Sequence, residues 1–453
     1  MGEGRATSMY QAILRVIRVT GLALCLTAII ATGPARAAQL LRDADIEYAL
    51  KQLGAPILRA AGLSPNQVRI LLINDNSLNA FVVDTQHIFI HSGLLSKLDS
   101  ASQLQAVIAH EAAHISNGHI SRRMGNLRSA RTAANLGLVL AAAAAAAGSG
   151  QAAAGIAIGA QSSALRSFLA HTRAEEASAD ISSVRYMLRA GVDPKGAIEV
   201  QELFRGQVAL AESRQDPYMR SHPLTRDRLR ALNGLVASAS ARTEPNPAAN
   251  YWFARAQGKL TAFTRAPSWT LRRADGSGSA DIAQMRKAVA YHRQSDLRRA
   301  LSNIDAAIGS RPNDPFLREL KGQILLESRR ASDAVAVYSA AARLAPREPL
   351  ILGGLGRAHL AAGNAGEALR VLETARGRDF RDTRILRDLA VAYAKTGNTA
   401  MASLVTAERY ALQGRLKDAT IHAKRAEGVL ARGSGPWKRA QDVLDAAQRA
   451  GRR

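Results

Sequence analysis

The sequence predicts a mainly α-helical protein with one small β-sheet: an α+β domain followed by an α-helical solenoid. Three observations predict it. Short β-branched apolar runs bounded by turn residues lie between residues 68 and 90, helical spacing of apolar residues follows directly, and beyond residue 281 matching residue types recur every 34 positions. A chain of 453 residues is long enough for two or three domains, each with its own core.

The N-terminus reads as an export signal. Arg5, Arg15 and Arg18 form a basic region, Val19 to Thr32 is apolar, and Ala35-Arg36-Ala37 has the small-residue pattern of a cleavage site. The mature chain is then expected to begin at Ala38, with residues 1–37 removed. The apolar stretch is too short for a membrane anchor and runs into Pro34. Cys25, the only cysteine, is lost with it, so a disulfide and a thiolate-bound metal are both excluded from the mature chain.

Charge narrows the partners. The chain carries +24, and since residues 1–37 hold four Arg and one Glu, maturation leaves 57 basic against 36 acidic residues, or +21. Such a balance suits acidic partners or an anionic membrane surface. Nucleic acid is not expected, because the chain is exported and no basic run is interleaved with aromatics, which make up 4% of the residues.

Within residues 38–235, Val68 to Asn74 reads as a strand, Asn74 to Ser77 as a turn, and Ala80 to Val83 and Ile88 to Ile90 as two further strands. Ser100 and Gln103 form a capping box for a helix carrying Leu104, Val107, Ile108 and Ile115 at helical spacing, with Gly118 as its stop. Between Arg131 and Arg166 there is no charge, and Ala141 to Ala147 are seven consecutive alanines. Gly148-Ser149-Gly150 divides this stretch, so residues 133–161 read as a helical hairpin packed near the catalytic face; peripheral contact with a membrane is the alternative.

Residues 236–280, rich in Ser, Asn, Pro and Gly around an aromatic patch at Tyr251, Trp252 and Phe253, read as an interdomain linker. From 281 onward Ala300, Ala334, Ala368 and Ala402 keep a step of 34, as do Ala307, Ala341 and Ala375, and Ile304, Tyr338 and Leu372. A pair of helices with a small residue at its crossing cannot bury its own apolar face, so such units stack. Residues 281–453 therefore read as a helical repeat domain that resembles tetratricopeptide repeats. Arg409 in place of alanine and Phe380 in place of proline predict an irregular helix in the third unit.

The chemistry is concentrated in His110-Glu111-Ala112-Ala113-His114. Two imidazoles four residues apart on one helix face can share one ion, and Glu111 sits beside them. Zinc there would acidify a water and polarise a carbonyl, with Glu111 relaying the proton to a leaving amine. A third ligand is required. The pattern with glycine and histidine three and six residues past His114 fails at Asn117 and Ile120, whereas Glu176, on a second helix with Glu175 and Asp180, gives a His/His/Glu site; Asp180 lies one turn beyond Glu176, placed to hold the back of an imidazole. His119, five residues past His114, lies off the ligand face and is given no role, and His87, His91, His171, His292, His359 and His422 read as surface or packing residues.

Asn79-Ala80-Phe81, Ser92-Gly93-Leu94-Leu95, the HEAAH helix, Arg173 to Asp180, and His222-Pro223-Leu224-Thr225 with Arg228 occur in the order seen in the HtpX-like and CAAX-prenyl-protease-like gluzincins, which the chain resembles. The resemblance implies a zinc endopeptidase with one Zn2+ per subunit, held by His110, His114 and Glu176. It makes Glu111 the catalytic glutamate. Asp180 becomes either a proton donor or a support for a ligand, and His222 either stabilises the oxyanion or approaches the zinc and closes the site. Together with export and the repeats, it implies a periplasmic enzyme acting on unfolded or misassembled envelope proteins, outer-membrane β-barrel precursors among them. The repeats would then dock substrate or the β-barrel assembly machinery. A rival expectation is a chaperone or scaffold whose protease site is mostly closed.

Overall fold

The computed structural model describes residues 40–123, 172–207, 210, 214–239 and 246–451. The expected signal segment and the alanine-rich stretch 133–161 lie outside the described residues.

A four-stranded sheet forms where the β-branched runs predicted it. β1 (Leu40–Leu41), β2 (Arg69–Ile73), β3 (Ala80–Val82) and β4 (His87–His91) are ordered β1-β2-β4-β3. β2 and β4 are parallel, pairing Arg69 with His87 through Ile73 with His91, and the other neighbours are antiparallel. β3 is therefore an edge strand. One face of the sheet, with Ile70, Leu72, Val82, Ile88 and Ile90, packs on α1 (Ala44–Ala60) and α3 (Ala101–Ser116), while Leu71, Ile73, Phe81 and Phe89 form a second buried cluster behind it. Burial of both faces explains the near-continuous apolar runs.

The Ser92-Gly93 pair that opens α2 (Ser92–Lys97) fixes the turn between β2 and β3. Ser92 Oγ donates to the Asp75 carbonyl at 2.9 Å and accepts from the Asp75 amide at 3.2 Å. A Cβ on Gly93 would lie 2.1 Å from the Asn76 carbonyl oxygen, so only glycine lets the turn close. Ser100 caps α3 as expected, accepting from the Gln103 amide at 3.3 Å, but the reciprocal half differs: Gln103 Oε1 accepts from Asp99 N at 2.7 Å. Four further helices complete the first core: α4 (Arg173–Arg189), α5 (Lys195–Phe204), α6 (Pro217–Ser221) and α7 (Arg226–Ser238).

The stretch expected as a linker is mostly helix. α8 (Pro247–Thr264) packs along α1 and gives Ala249, Phe253, Ala256 and Leu260 to the core of the first domain. It also buries two cations at the junction. Lys259 Nζ lies 2.9 Å from Asp43 and 3.6 Å from Glu319, and Arg255 lies 2.8 Å from Asp45 and 2.5 Å from Asp314. The polar letters that read as a linker are thus the ionic seam between the two halves.

After α9 (Pro267–Arg273), antiparallel pairs follow: α10 (Ala280–Arg293) with α11 (Leu297–Ser310), α12 (Pro315–Glu327) with α13 (Ala331–Leu344), and α14 (Pro349–Ala361) with α15 (Ala365–Arg378). α16 (Thr383–Lys395) with α17 (Thr399–Leu412) and α18 (Leu416–Glu427) with α19 (Gly435–Gly451) complete the series. Ala300, Ala334, Ala368, Ala307, Ala341 and Ala375 are all completely buried, as the 34-residue step requires, whereas Ala402, the last of the first series, is only partly buried. The expected irregularity does not occur. α15 has 14 residues, the same as α11 and α13, and Asp382 caps α16 from the position that Asp314 and Glu348 hold before α12 and α14, accepting from Arg384 N at 2.8 Å and Ile385 N at 3.2 Å. In α17, also regular, Ala407 takes the buried position and Arg409 lies partly exposed beside Tyr410.

Candidate metal centre

α3 is buried around its whole circumference, so its polar residues must find partners inside the protein. Glu111 and His114 are completely buried and His110 nearly so. α4 lies across α3 and brings Glu176 against both imidazoles. Its start is set by Thr172 and Glu175, which form a reciprocal capping box, with Glu175 also paired to Arg123 at 2.6 Å. Glu175 thus holds a helix end, while Glu176 and Asp180, one turn apart, face inward.

The three expected ligands converge. His114 Nε2 lies 3.1 Å from His110 Nε2 and 3.3 Å from Glu176 Oε1, and His110 Nε2 lies 3.4 Å from Glu176 Oε2. His222 joins them, its Nδ1 2.9 Å from Glu176 Oε1 and 3.4 Å from His110 Nε2. The ligand atoms of all four residues lie within 4.8 Å of one another. Zinc bonds of about 2.0–2.1 Å in a tetrahedron put ligand atoms about 3.3–3.4 Å apart, close to the 3.1–3.4 Å among His110, His114 and Glu176, whose two oxygens each face one imidazole. The donor set, two or three imidazoles and a carboxylate without thiolate, also suits zinc. By chemistry and spacing, these residues fit the ion.

Glu111 stands beside this cluster, its Oε1 3.4 Å from His222 Nε2, and among the described residues neither carboxylate oxygen accepts a hydrogen bond. Burial raises its pKa above the ordinary carboxylate value, against the pull of His222 and His110. A buried carboxylate left without donors is costly, so its position reads as one held for chemistry rather than for stability.

Each helix imidazole is also held from behind. His110 Nδ1 lies 3.3 Å from Asp180 Oδ1, and Arg228 on α7 grips both oxygens of Asp180, at 2.8 and 2.9 Å. Burial would raise Asp180, but its hydrogen bonds from His110 and Arg228 hold the carboxyl below its usual range. Burial likewise opposes charge on His110, and Asp180 and Glu176 outweigh it, raising that imidazole to about 10. Arg228 Nη1 also reaches Glu176 Oε2 at 2.7 Å, so one guanidinium orients the expected third ligand and the support of the first.

Sequence reasoning missed several residues here. Tyr218, on the single turn of α6, lays its ring 4.6 Å from that of His222 and accepts the His222 amide at its carbonyl, 2.8 Å away. No motif marked it; only its position four residues before His222 did. His119 is buried and lies against His114, contrary to the role-free reading. Gly118 is the expected stop of the helix, and at φ +71° it also turns the chain back so that His119 meets His114. His87 and His91 are buried packing residues, as expected.

The chain is similar to known proteins in both of its parts. Residues 44–236 match the model of peptidase family M48, and residues 325–390 match that of the tetratricopeptide repeat. The β-barrel assembly-enhancing protease of Escherichia coli is 28% identical over 195 residues, covering 42% of this chain and 39% of that one. A putative β-barrel assembly-enhancing protease of Vibrio cholerae is 23% identical over 190 residues, with the same coverage of each chain. The match thus spans about two fifths of the length of these curated relatives. Among solved structures, YrrB, a tetratricopeptide-repeat protein, is 18% identical with a TM-score of 0.31, covering 38% of this chain and 91% of that one. Carrying the HEAAH helix, Glu176 and His222 on its first domain and stacked helix pairs on its second, the chain joins a peptidase family M48 domain to tetratricopeptide repeats.

Proposed function

We propose that the protein is a zinc-dependent endopeptidase of the periplasm that degrades unfolded or misassembled envelope proteins, outer-membrane β-barrel precursors among them. The observation that carries this reading is the convergence of His110, His114 and Glu176 near the edge length of a zinc tetrahedron, with the buried Glu111 carboxylate beside them. When bound, the ion supplies Lewis-acid polarisation of the scissile carbonyl and acidifies a water. Glu111, buried beside the ligands, accepts that water's proton and delivers it to the leaving amine. Asp180, ionised and gripped by Arg228, orients His110 and is not the proton donor.

Substrate enters as an extended strand along β3. That strand is the sheet edge, and it is tied to the site: Leu78 N donates to Asp216 Oδ1 at 3.2 Å, and Tyr218 N donates to the Leu78 carbonyl at 3.3 Å. Main-chain pairing at an edge selects for unfolded segments rather than for a sequence. The names of the curated relatives support the theme of β-barrel assembly, the repeats support docking of substrate or the assembly machinery, and the apparent export signal supports the periplasm. No helix among the described residues is long and apolar enough to cross a membrane.

A second reading has one observation behind it. His222 Nδ1 already sits 2.9 Å from Glu176 Oε1, where it completes the ligand set and closes the site. In that form the protein serves as a chaperone or scaffold through its repeats. Cleavage of an unfolded barrel protein by the purified mature chain, with Glu111→Gln in parallel, separates the two. The enzyme reading expects the variant to lose about 10²–10⁴-fold in rate while keeping its zinc and fold; equal rates overturn it.

A further inference from the structure

The two helix imidazoles are supported differently. His110 turns its Nδ1 to a carboxylate, whereas His114 turns its Nδ1 to another histidine, with His119 Nδ1 at 2.9 Å. The second ring nitrogen of His119 lies 3.1 Å from Ser178 Oγ, and that oxygen lies 3.2 Å from the carbonyl of Glu175 and 3.2 Å from Asn117 Nδ2. His119 is 2% exposed, and its ring stands 65° from that of His114 with centroids 5.0 Å apart.

These contacts admit one consistent arrangement of protons. If His114 binds a cation through Nε2, its Nδ1 carries the hydrogen and must donate. His119 Nδ1 is then the acceptor, so its own hydrogen sits on Nε2 and is donated to Ser178 Oγ. The serine hydroxyl donates onward to the Glu175 carbonyl, and Asn117 supplies a second donor to the serine oxygen. Every group in the chain from His114 to the backbone of α4 has a complementary partner, with no donor facing a donor.

We propose that His119 is a positioning residue: as a neutral Nε2–H imidazole it accepts the Nδ1–H of His114 and, anchored by Ser178, fixes that ligand's tautomer and ring plane for the metal. Gly118 makes this possible. A histidine five residues on in an unbroken helix points away from His114, and the left-handed turn at Gly118, φ +71°, brings it back. The same helix, α4, then supplies the ligand Glu176, the anchor of His119 and the support of His110, so the metal site and its orienting groups move as one element.

The inference rests on the metal-site reading proposed above, and the test keeps the two apart. Zinc affinity of the purified mature protein is measured by chelator competition for wild type, His110→Ala, His119→Asn, His119→Leu and Ser178→Ala, with thermal unfolding of each metal-free chain as a check on folding. Wild-type binding that His110→Ala abolishes establishes the site; failure there sinks the metal reading itself. Given that, His119→Leu is expected to weaken zinc about 10–100-fold, His119→Asn, whose side-chain oxygen replaces Nδ1 as acceptor, to restore most of it, and Ser178→Ala to fall between them. Unchanged affinity in His119→Leu, or Asn no better than Leu, overturns the proposal. Should the leucine variant not fold, the wild-type protein suffices: a long-range proton–nitrogen NMR spectrum of its histidines is expected to show His119 as the Nε2–H tautomer beside an Nδ1–H His114. An Nδ1–H or doubly protonated His119 contradicts it.

Discussion

Arg42 and Asp379 are 337 positions apart in the chain, and their side chains meet at 2.9 Å in a buried ion pair. Arg42 also pairs with Glu47, and its Nη1 lies 3.3 Å from Asp382; Arg69 reaches Asp379 at 3.3 Å, and Arg384 Nη1 donates to the Arg42 carbonyl at 2.9 Å. With Arg255 and Lys259 further along the seam, these contacts tie the repeats to the first domain. Losing one partner of such a pair leaves the other charge buried and unpaired, so Arg42→Ala is expected to cost about 3–5 kcal/mol. Urea unfolding of the mature chain measures this, with early exposure of the repeat domain to protease as the accompanying sign.

Glu348 makes the junction sensitive to pH. Burial, reinforced by Glu47, raises its carboxyl from 4.5 to about 7. The folded chain therefore keeps this proton longer than the unfolded chain, so the group's stabilising contribution is complete below about pH 4.5 and is lost as pH rises through 7. At about 1.4 kcal/mol per unit, reduced for partial solvent screening, the effect is on the order of 1–2 kcal/mol. Glu348→Gln should raise the melting temperature at pH 8 and leave it unchanged at pH 4.5, and scanning calorimetry at the two pH values checks it.

If His222 closes the ligand set, its removal frees the site. His222→Ala is expected to raise the rate of cleavage of an unfolded substrate, by roughly tenfold where the open form is about a tenth of the population, and to lower zinc affinity. Steady-state kinetics decide this. A fall in rate would instead assign the imidazole to stabilising the oxyanion.

Gly93 supports the substrate edge from a distance. A methyl group there would meet the Asn76 and Ser77 carbonyl oxygens at 2.1 and 2.6 Å, so Gly93→Ala must displace the turn that leads into β3. A loss of about 1–3 kcal/mol in stability should accompany reduced cleavage, whereas Gly234→Ala on α7, whose Cβ would meet nothing within 4 Å, should change neither.

Much of this was legible in the sequence. His110 and His114 share one helix face because their spacing dictates it, and Glu176 meets them from a second helix, where the search for a third oxygen ligand pointed. The 34-residue step located the completely buried alanines of the repeats. What stayed hidden depended on single backbone angles or on pairs far apart in the chain. Gly118 read as a stop, but the direction it sends His119 is a matter of one φ angle. Arg255 and Lys259 sat among linker-like residues, and only the partners Asp45, Asp314, Asp43 and Glu319, brought from other elements, show why cations are buried there. The third repeat looked irregular because Phe380 broke the proline pattern, whereas Asp382 keeps the capping position of Asp314 and Glu348 and, with Asp379, ties the turn to Arg42.

The central claim is that one zinc ion is held jointly by α3 and α4. Anomalous scattering at the zinc edge from crystals of the zinc-loaded mature protein tests it most directly. One strong peak within about 2.0–2.2 Å of His110 Nε2, His114 Nε2 and a Glu176 oxygen is the predicted result. A fully loaded crystal whose peak lay elsewhere, or bound to the histidines with Glu176 turned away, would contradict it.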